Sequence, residues 1–332
     1  MTIPDFDIRP NIIKGDPADI YLFRTLDILR SEGMNPEVTM EFYPKHSGVL
    51  CGVNEVRVLL DNVLPESDRE VWGLEEGRSI DGNEVALRIT ARYATFGLYE
   101  TSICGILSSC TGWATAANKC VEAGRGKVII ATGARHIHPN VAALLDYSSI
   151  VGGCSTCSTG KGARLAGVTP FGDMPHALPL IFGDTVKAAE AYDKYMGLEV
   201  QRIILVDTFK DEAEEAINVA QSLRQKLRGI RLDSPLERGG VTPPMVKEIR
   251  TRLDRLNFRH VEIYVSGGMT PDKIGEFAYA NAPVDGFLVG SYISGTAPND
   301  FTADIHEING HGIAKRGRIP GRTESPRLSR ML

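Results

Sequence analysis

The sequence predicts an α/β protein in three parts: a mixed α/β domain over residues 1–120, an irregular (β/α) barrel over 121–296, and a C-terminal extension over 297–332 that packs back on the first domain. Three observations carry this expectation. From Lys127 onward, short apolar runs alternate with helical stretches, which is how a parallel sheet with crossover helices is written. The runs end in small or polar residues, as strands do where they open onto the mouth of a barrel. The chain is also long: 332 residues exceed a typical small domain and suit two domains or one elaborated barrel.

In the first part, Asp19–Arg30 (DIYLFRTLDILR) places Ile20, Phe23, Leu26 and Leu29 at helical spacing. Val38–Tyr43 alternates as a strand does, Asn54–Val63 reads as a short helix and Glu84–Thr90 as a strand. Phe96–Ala123 is a long helical stretch rich in Ser, Thr, Ala and Cys, apolar enough to be buried on most sides as a hairpin between domains. The barrel series follows. KVIIATGAR (127–135) is a strand leading to a helix near Val141–Tyr147, and SIVGG (149–153) is a strand followed by a Gly-rich loop and a helix. VTPFGDMPHAL (168–178) is a short strand and loop before a helix over Thr185–Tyr195. RIILVDT (202–208) leads into a helix over Asp211–Lys226, and GIRLDSP (229–235) into one over Pro243–Leu256. VEIYVSGGMTPDKIGEF (261–277) and VDGFLVGSYI (284–293) complete the series, each an apolar strand ending in small residues. Beyond residue 296 the chain is polar and turn-rich, with a basic tail, and no repeat recurs at a fixed period.

Composition narrows the function. Hydrophobic residues make up 42% and charged residues 24%, enough to bury a full core and too ordered a mixture for wholesale disorder. A net charge of −5 argues against a protein that coats nucleic acid or anionic membrane. MTIPDFDIRP has no apolar leader core and no run approaches 18 apolar residues, so a soluble cytoplasmic protein is expected. The six cysteines read as reduced thiols. Cys154 and Cys157 form a C-x-x-C without a second half-site, so no structural zinc is expected and they read as small thiols in a crowded loop. STGKG (158–162) resembles the end of a phosphate-binding P-loop, but Ser155 stands at its first Gly and Gly162 at its Ser/Thr, which rejects that reading.

A barrel brings the C-terminal ends of its strands to one mouth. This sequence places there Arg135, His136 and His138, the loop Gly153–Lys161, His176, Asp207 and Thr208, Arg231 with Asp233 and Ser234, Ser266-Gly267-Gly268 and Gly290-Ser291. Each has a structural reading when taken singly: Asp207 and Asp233 as helix caps, Arg135 and Arg231 as ion-pair partners, His176 as a surface histidine. Taken together, two acids, two arginines, histidines and two glycine turns suit a phosphorylated sugar bearing a diphosphate. The acids serve ribose hydroxyls and Mg²⁺, and the cations and backbone amides serve phosphates.

The order of motifs resembles nicotinate phosphoribosyltransferase, especially its compact archaeal-type members. DIYLFRT, GARHIHP (133–139), GDMPHAL (172–178), LVDTFKDE (205–212), IRLDSP (230–235), VSGG and VDGFLVGS carry the likeness, which runs from about Asp19 to Arg322. It implies the type II phosphoribosyltransferase fold, an N-terminal α/β sandwich domain plus an irregular barrel, working as a homodimer or higher assembly in which a partner closes the site. It implies transfer of phosphoribosyl from phosphoribosyl pyrophosphate (PRPP) to a pyridine carboxylate, nicotinate, giving nicotinate mononucleotide and pyrophosphate. By that likeness Asp207 and Asp233 meet ribose hydroxyls or Mg²⁺, Arg135 and His136 face a carboxylate or the pyrophosphate, and Ser266, Gly267, Gly268, Gly290 and Ser291 hold the 5′-phosphate. Thr208, Arg231 and Ser234 stand beside these in the same motifs. His176 matches the histidine that takes a phosphoryl group from ATP in members coupling hydrolysis to synthesis, and Tyr21 and Phe23 match the aromatic pair near the pyridine ring, with Arg24 following them as a further substrate-binding residue. Asp173 stands where many relatives have Thr, and Leu288 and Ser291 depart from FGVGT. A quinolinate-type transferase and a non-catalytic PRPP-binding paralogue remain alternatives.

Overall fold

The amphipathic stretch near the start winds into the helix Ile20–Ser31, in a computed structural model that describes residues 4–67 and 69–332. Leu22 is its buried side chain and Leu26 and Leu29 pack against the core from the face the spacing suggests, whereas Ile20 at the helix start is 62% exposed. Two units make up the described chain. The first takes residues up to Thr115 together with Thr296–Leu332, and the second is Ala116–Gly295. The division falls inside one continuous helix, Glu100–Gly124, where the sequence suggests a hairpin. Nothing breaks it: Gly105 and Gly112 keep helical backbone and no proline interrupts the run.

The first unit is an antiparallel sheet of six strands, ordered His311–Gly312, Phe301–Ile308, Glu37–Pro44, Leu87–Arg92, Arg69–Gly73, Ser329–Arg330. Phe42, Val71, Leu87 and Ile89 from the sheet bury against Leu59 and Leu60 of the helix Val53–Val63 and Ile103 and Leu107 of the long helix. This is the α/β sandwich that the resemblance implies. The strand expected at 84–90 starts later, at Leu87. Beyond residue 296 lies an eight-residue strand, Phe301–Ile308, hidden because polar residues break its alternation. Those residues have partners: Asp304 takes Lys315 and Arg318, and Glu307 takes Arg322.

The second unit is a parallel sheet curled into a half-barrel. Its strand order is Thr156–Cys157, Val128–Ala131, Gly286–Val289, Glu262–Val265, Leu227–Leu232, Arg202–Leu205. The 149–153 segment is not a strand: the helix Ala142–Val151 runs through it and Gly152-Gly153 ends it. The helix is held by burial of its Leu145–Ser149 turn, and the Ser148 and Ser149 hydroxyls are satisfied within it by the carbonyls of Leu144 and Leu145 one turn back. The strand instead comes after the turn, at Thr156–Cys157. In 168–178 the expected strand shrinks to a single bridge, Met174 to Ile204. Ile130, Ile203, Tyr264 and Leu288, with Phe171, fill the interior of the curl.

Candidate active site

Parallel pairing sends every strand of the second unit out on the same side, and the loops beyond enclose a cavity of about 500 Å³. Register decides who meets there. Leu232 lies beside Val265, so the next residues along, Asp233 and Ser266, emerge side by side. Arg231 is their centre. Its Nη2 donates to Asp233 Oδ2 at 2.9 Å, its Nη1 to Asp173 Oδ2 at 2.6 Å and its Nε to Ser266 Oγ at 2.9 Å. Ser266 Oγ lies 2.7 Å from Asp233 Oδ1 as donor. One guanidinium is thus held by two carboxylates, and the Ser266 hydroxyl works inside this network rather than facing an incoming phosphate.

The two glycine turns differ. Gly267 and Gly268 have φ of +91° and +62°, a left-handed backbone that suits glycine. Gly290 has no such need; a Cβ there would sit 3.1 Å from His136 Nε2 and 3.2 Å from the Thr132 carbonyl oxygen, so glycine lets the imidazole approach. Ser291 begins a single helical turn, Ser291–Ser294, at the cavity edge. Leu288 is 4% exposed and packs in the barrel interior, so its bulk lines the cavity wall on the strand that leads to Gly290-Ser291.

Arg135 and His136 lie on a 3-10 turn, Gly133–His136, after the Val128–Ala131 strand and line the same cavity. Among the described residues no carboxylate pairs with Arg135, so its guanidinium is the free one. Asp207 is elsewhere: its side chain is 3% exposed and its Oδ1 lies 3.0 Å from His176 Nε2. That bond, against opposing burial, raises the His176 pKa above its ordinary 6.5. Ser234 is buried and donates to Glu212. The Thr208 backbone amide donates to Glu215, and its hydroxyl is buried without a hydrogen-bond partner among the described residues. Neither lines the cavity. Tyr21, Phe23 and Arg24 lie in the first unit on Ile20–Ser31, with Tyr21 exposed and its hydroxyl 3.3 Å from Asp19.

Two features were missed by reading the sequence. Phe171 lines the cavity, its ring packed at 5.7 Å between centroids on Tyr264; an isolated aromatic in a loop gave no signal. Asp146, wholly buried, accepts from the amide and hydroxyl of Thr159 at 3.1 and 2.6 Å and so pins the Ser158-Thr159 wall. Its position mid-helix hid it. Cys157 is a buried thiol whose pKa burial pushes up to about 12, and Cys154 is pushed the same way, so both stay protonated at neutral pH.

This arrangement, a parallel half-barrel whose mouth holds glycine turns, acids and a free guanidinium, is that of a type II phosphoribosyltransferase. Residues 113–304 match the quinolinate phosphoribosyl transferase C-terminal domain and residues 19–111 its N-terminal domain. The chain belongs to that family of phosphoribosyltransferase enzymes. A crystal structure of nicotinate-nucleotide pyrophosphorylase from Pyrococcus furiosus is similar at 38% identity and a TM-score of 0.88, covering 97% of this chain and 82% of that one. A nicotinate phosphoribosyltransferase of Mycobacterium tuberculosis, pncB2, is 31% identical over 267 residues, 77% of this chain. The chain spans 56% of that relative's length. Human nicotinic acid phosphoribosyltransferase shares the fold at 16% identity, with a TM-score of 0.69, over 92% of this chain and 77% of that one. No described helix is long and apolar enough to cross a membrane.

Proposed function

We propose that this protein transfers phosphoribosyl from PRPP to nicotinate, releasing pyrophosphate and forming nicotinate mononucleotide for NAD synthesis. The observation that carries the choice of acceptor is the charge count at the cavity. Arg231 is held by Asp173 and Asp233, which leaves Arg135 as the free guanidinium on the wall, enough for one carboxylate. Quinolinate brings a second, and each unpaired carboxylate near Asp173 and Asp233 would meet repulsion. The names of the relatives support a pyridine nucleotide product.

The chemistry asks little of a general base, because the pyridine nitrogen already carries the attacking lone pair. It bonds to C1 of the ribose as the C1–O bond to the diphosphate breaks, through a flattened, positively charged sugar. Asp233 stabilises that charge and the ribose hydroxyls. Phe171 gives the ring a flat apolar wall and Arg135, with His136 beside it, takes the acceptor carboxylate. The Gly267–Gly268 turn, with the Gly290-Ser291 edge, takes the 5′-phosphate. Asp207 acts through His176 in this reading, and Thr208 and Ser234 brace the loops behind them.

The resemblance also implies Mg²⁺. Among the described residues no group of three or more His, Cys, Asp or Glu is placed to hold a metal ion, and both Asp233 oxygens already accept hydrogen bonds. A Mg²⁺ would therefore have to arrive on the diphosphate, where Asp233 would be the carboxylate to meet it. Bound there, the ion supplies neutralisation of the leaving group. ATP coupling through His176 belongs to the same proposal: Nε2 is tied to Asp207, which leaves Nδ1 to accept the γ-phosphoryl group as ADP departs. The working protein in this reading is a homodimer.

The test is pyrophosphate release from PRPP and Mg²⁺ with purified full-length protein. Release that depends on nicotinate supports an enzyme. Tight PRPP binding with no release from nicotinate, quinolinate or nicotinamide would identify a non-catalytic binding protein instead.

A further inference from the structure

A lysine stands where helix electrostatics disfavour one. The helix Pro271–Tyr279 is capped by Thr270, whose hydroxyl accepts from the Lys273 amide at 3.3 Å. Lys273 is therefore in the first turn, at the positive end of the helix dipole, where an acidic residue is the stabilising choice. Its ammonium bends back toward the cavity: a Cβ built on Gly268 would lie 3.6 Å from Lys273 Nζ. Among the described residues no carboxylate pairs with that ammonium. The amides of Gly267, Gly268 and Met269 likewise have no hydrogen-bond acceptor among the described residues, although Met269 is only 3% exposed. Unpartnered amides and an unpaired cation around a left-handed turn make an anion-binding concavity.

The charge balance requires the cation. A Cβ on Gly267 would sit 3.6 Å from Asp233 Oδ1, so an anion over this turn approaches a carboxylate. Arg231 is shared between Asp173 and Asp233 and cannot offset that repulsion. We propose that Lys273 is a binding residue for the terminal phosphate monoester of the sugar substrate, and that it selects phosphorylated over unphosphorylated ribose. This rests on the phosphoribosyl reading above and adds to it a residue with no role in the sequence-based expectation.

The experiment compares the full-length protein with Lys273→Met, which keeps the length of the side chain and removes its charge, and with Lys273→Arg. Ribose 5-phosphate and ribose are titrated by calorimetry, and PRPP and nicotinate by steady-state kinetics. Lys273→Met is expected to weaken ribose 5-phosphate binding and raise the PRPP KM by about tenfold or more, the order of one charge-assisted hydrogen bond. The nicotinate KM stays within about twofold, and Lys273→Arg recovers most of the loss. Equal ribose 5-phosphate affinity in wild type and Lys273→Met overturns the assignment, whether or not transfer occurs. Failure of the reaction with preserved, Lys273-dependent ribose 5-phosphate binding sinks the transferase reading alone. A wild-type protein that binds no ribose 5-phosphate contradicts both.

Discussion

Asp233 carries more structure than any other acid at the cavity, accepting from Arg231 on one oxygen and from Ser266 on the other. Asp233→Asn keeps the shape and removes the charge that, in the proposed reading, faces the reacting sugar. Turnover should fall by about 10²-fold or more with unchanged circular dichroism; near-normal turnover would remove Asp233 from the chemistry. His176 makes a different prediction. Its pKa is raised, chiefly by the Asp207 hydrogen bond, so the imidazolium persists to higher pH and the neutral nucleophile emerges only as pH rises past its ordinary value. ATP stimulation should therefore grow from pH 6 to pH 8, and His176→Ala should abolish it while basal synthesis stays measurable. Stimulation that is flat across this range, or survives in the variant, excludes phosphoryl transfer to His176. The sequence marked these acids and this histidine because they follow strand runs. It could not mark that Asp207 faces His176 while Asp233 faces the cavity, since that depends on side-chain direction at the strand ends.

Elements set the site through close approaches. Gly290 stands against the His136 ring, so Gly290→Ala must push the imidazole aside; the expected result is a rise of several-fold in KM for acceptor or donor with little change in melting temperature. A variant with wild-type kinetics would mean that His136 is not held by this contact. The helix Val53–Val63 of the first unit supplies a stability test. Glu55 in its first turn is raised from an ordinary 4.5 to about 7, by burial first and by the charge of Glu76 second. The folded state thus holds the proton more tightly than the unfolded chain, and stability is lost as pH rises from 4.5 through 7. Glu55→Gln should be neutral near pH 4.5 and stabilising at pH 8, by about 3 kcal/mol at most; an equal melting shift at both pH values would contradict the assignment. Periodicity found most strands and helices of the barrel. It failed at Ser149–Gly153, where β-branched Ile150 and Val151 imitate a strand at the end of a helix whose Leu145–Ser149 turn is buried. It failed again at Phe301–Ile308, whose polar residues are satisfied by Lys315, Arg318 and Arg322 from a later part of the chain.

The whole molecule joins an antiparallel sheet unit, completed by a strand from the far end of the chain, to a parallel half-barrel with the cavity at its mouth. Family membership places the chain among the phosphoribosyltransferases, and in the proposed reading the charges on the cavity wall bear on the acceptor. The matching family model is named for quinolinate and a protein that shares the fold is named for nicotinic acid, so fold alone does not decide between the acids. Asp173 does bear on it: paired to Arg231, it withdraws one cation from substrate and adds a negative charge against a second carboxylate. The most direct measurement is kcat/KM for nicotinate and for quinolinate, side by side with PRPP and Mg²⁺, with labelled carbon dioxide counted from quinolinate. The account predicts a nicotinate preference of about 10²-fold or more and no decarboxylation above background. Efficient transfer to quinolinate with release of one carbon dioxide per pyrophosphate would contradict it.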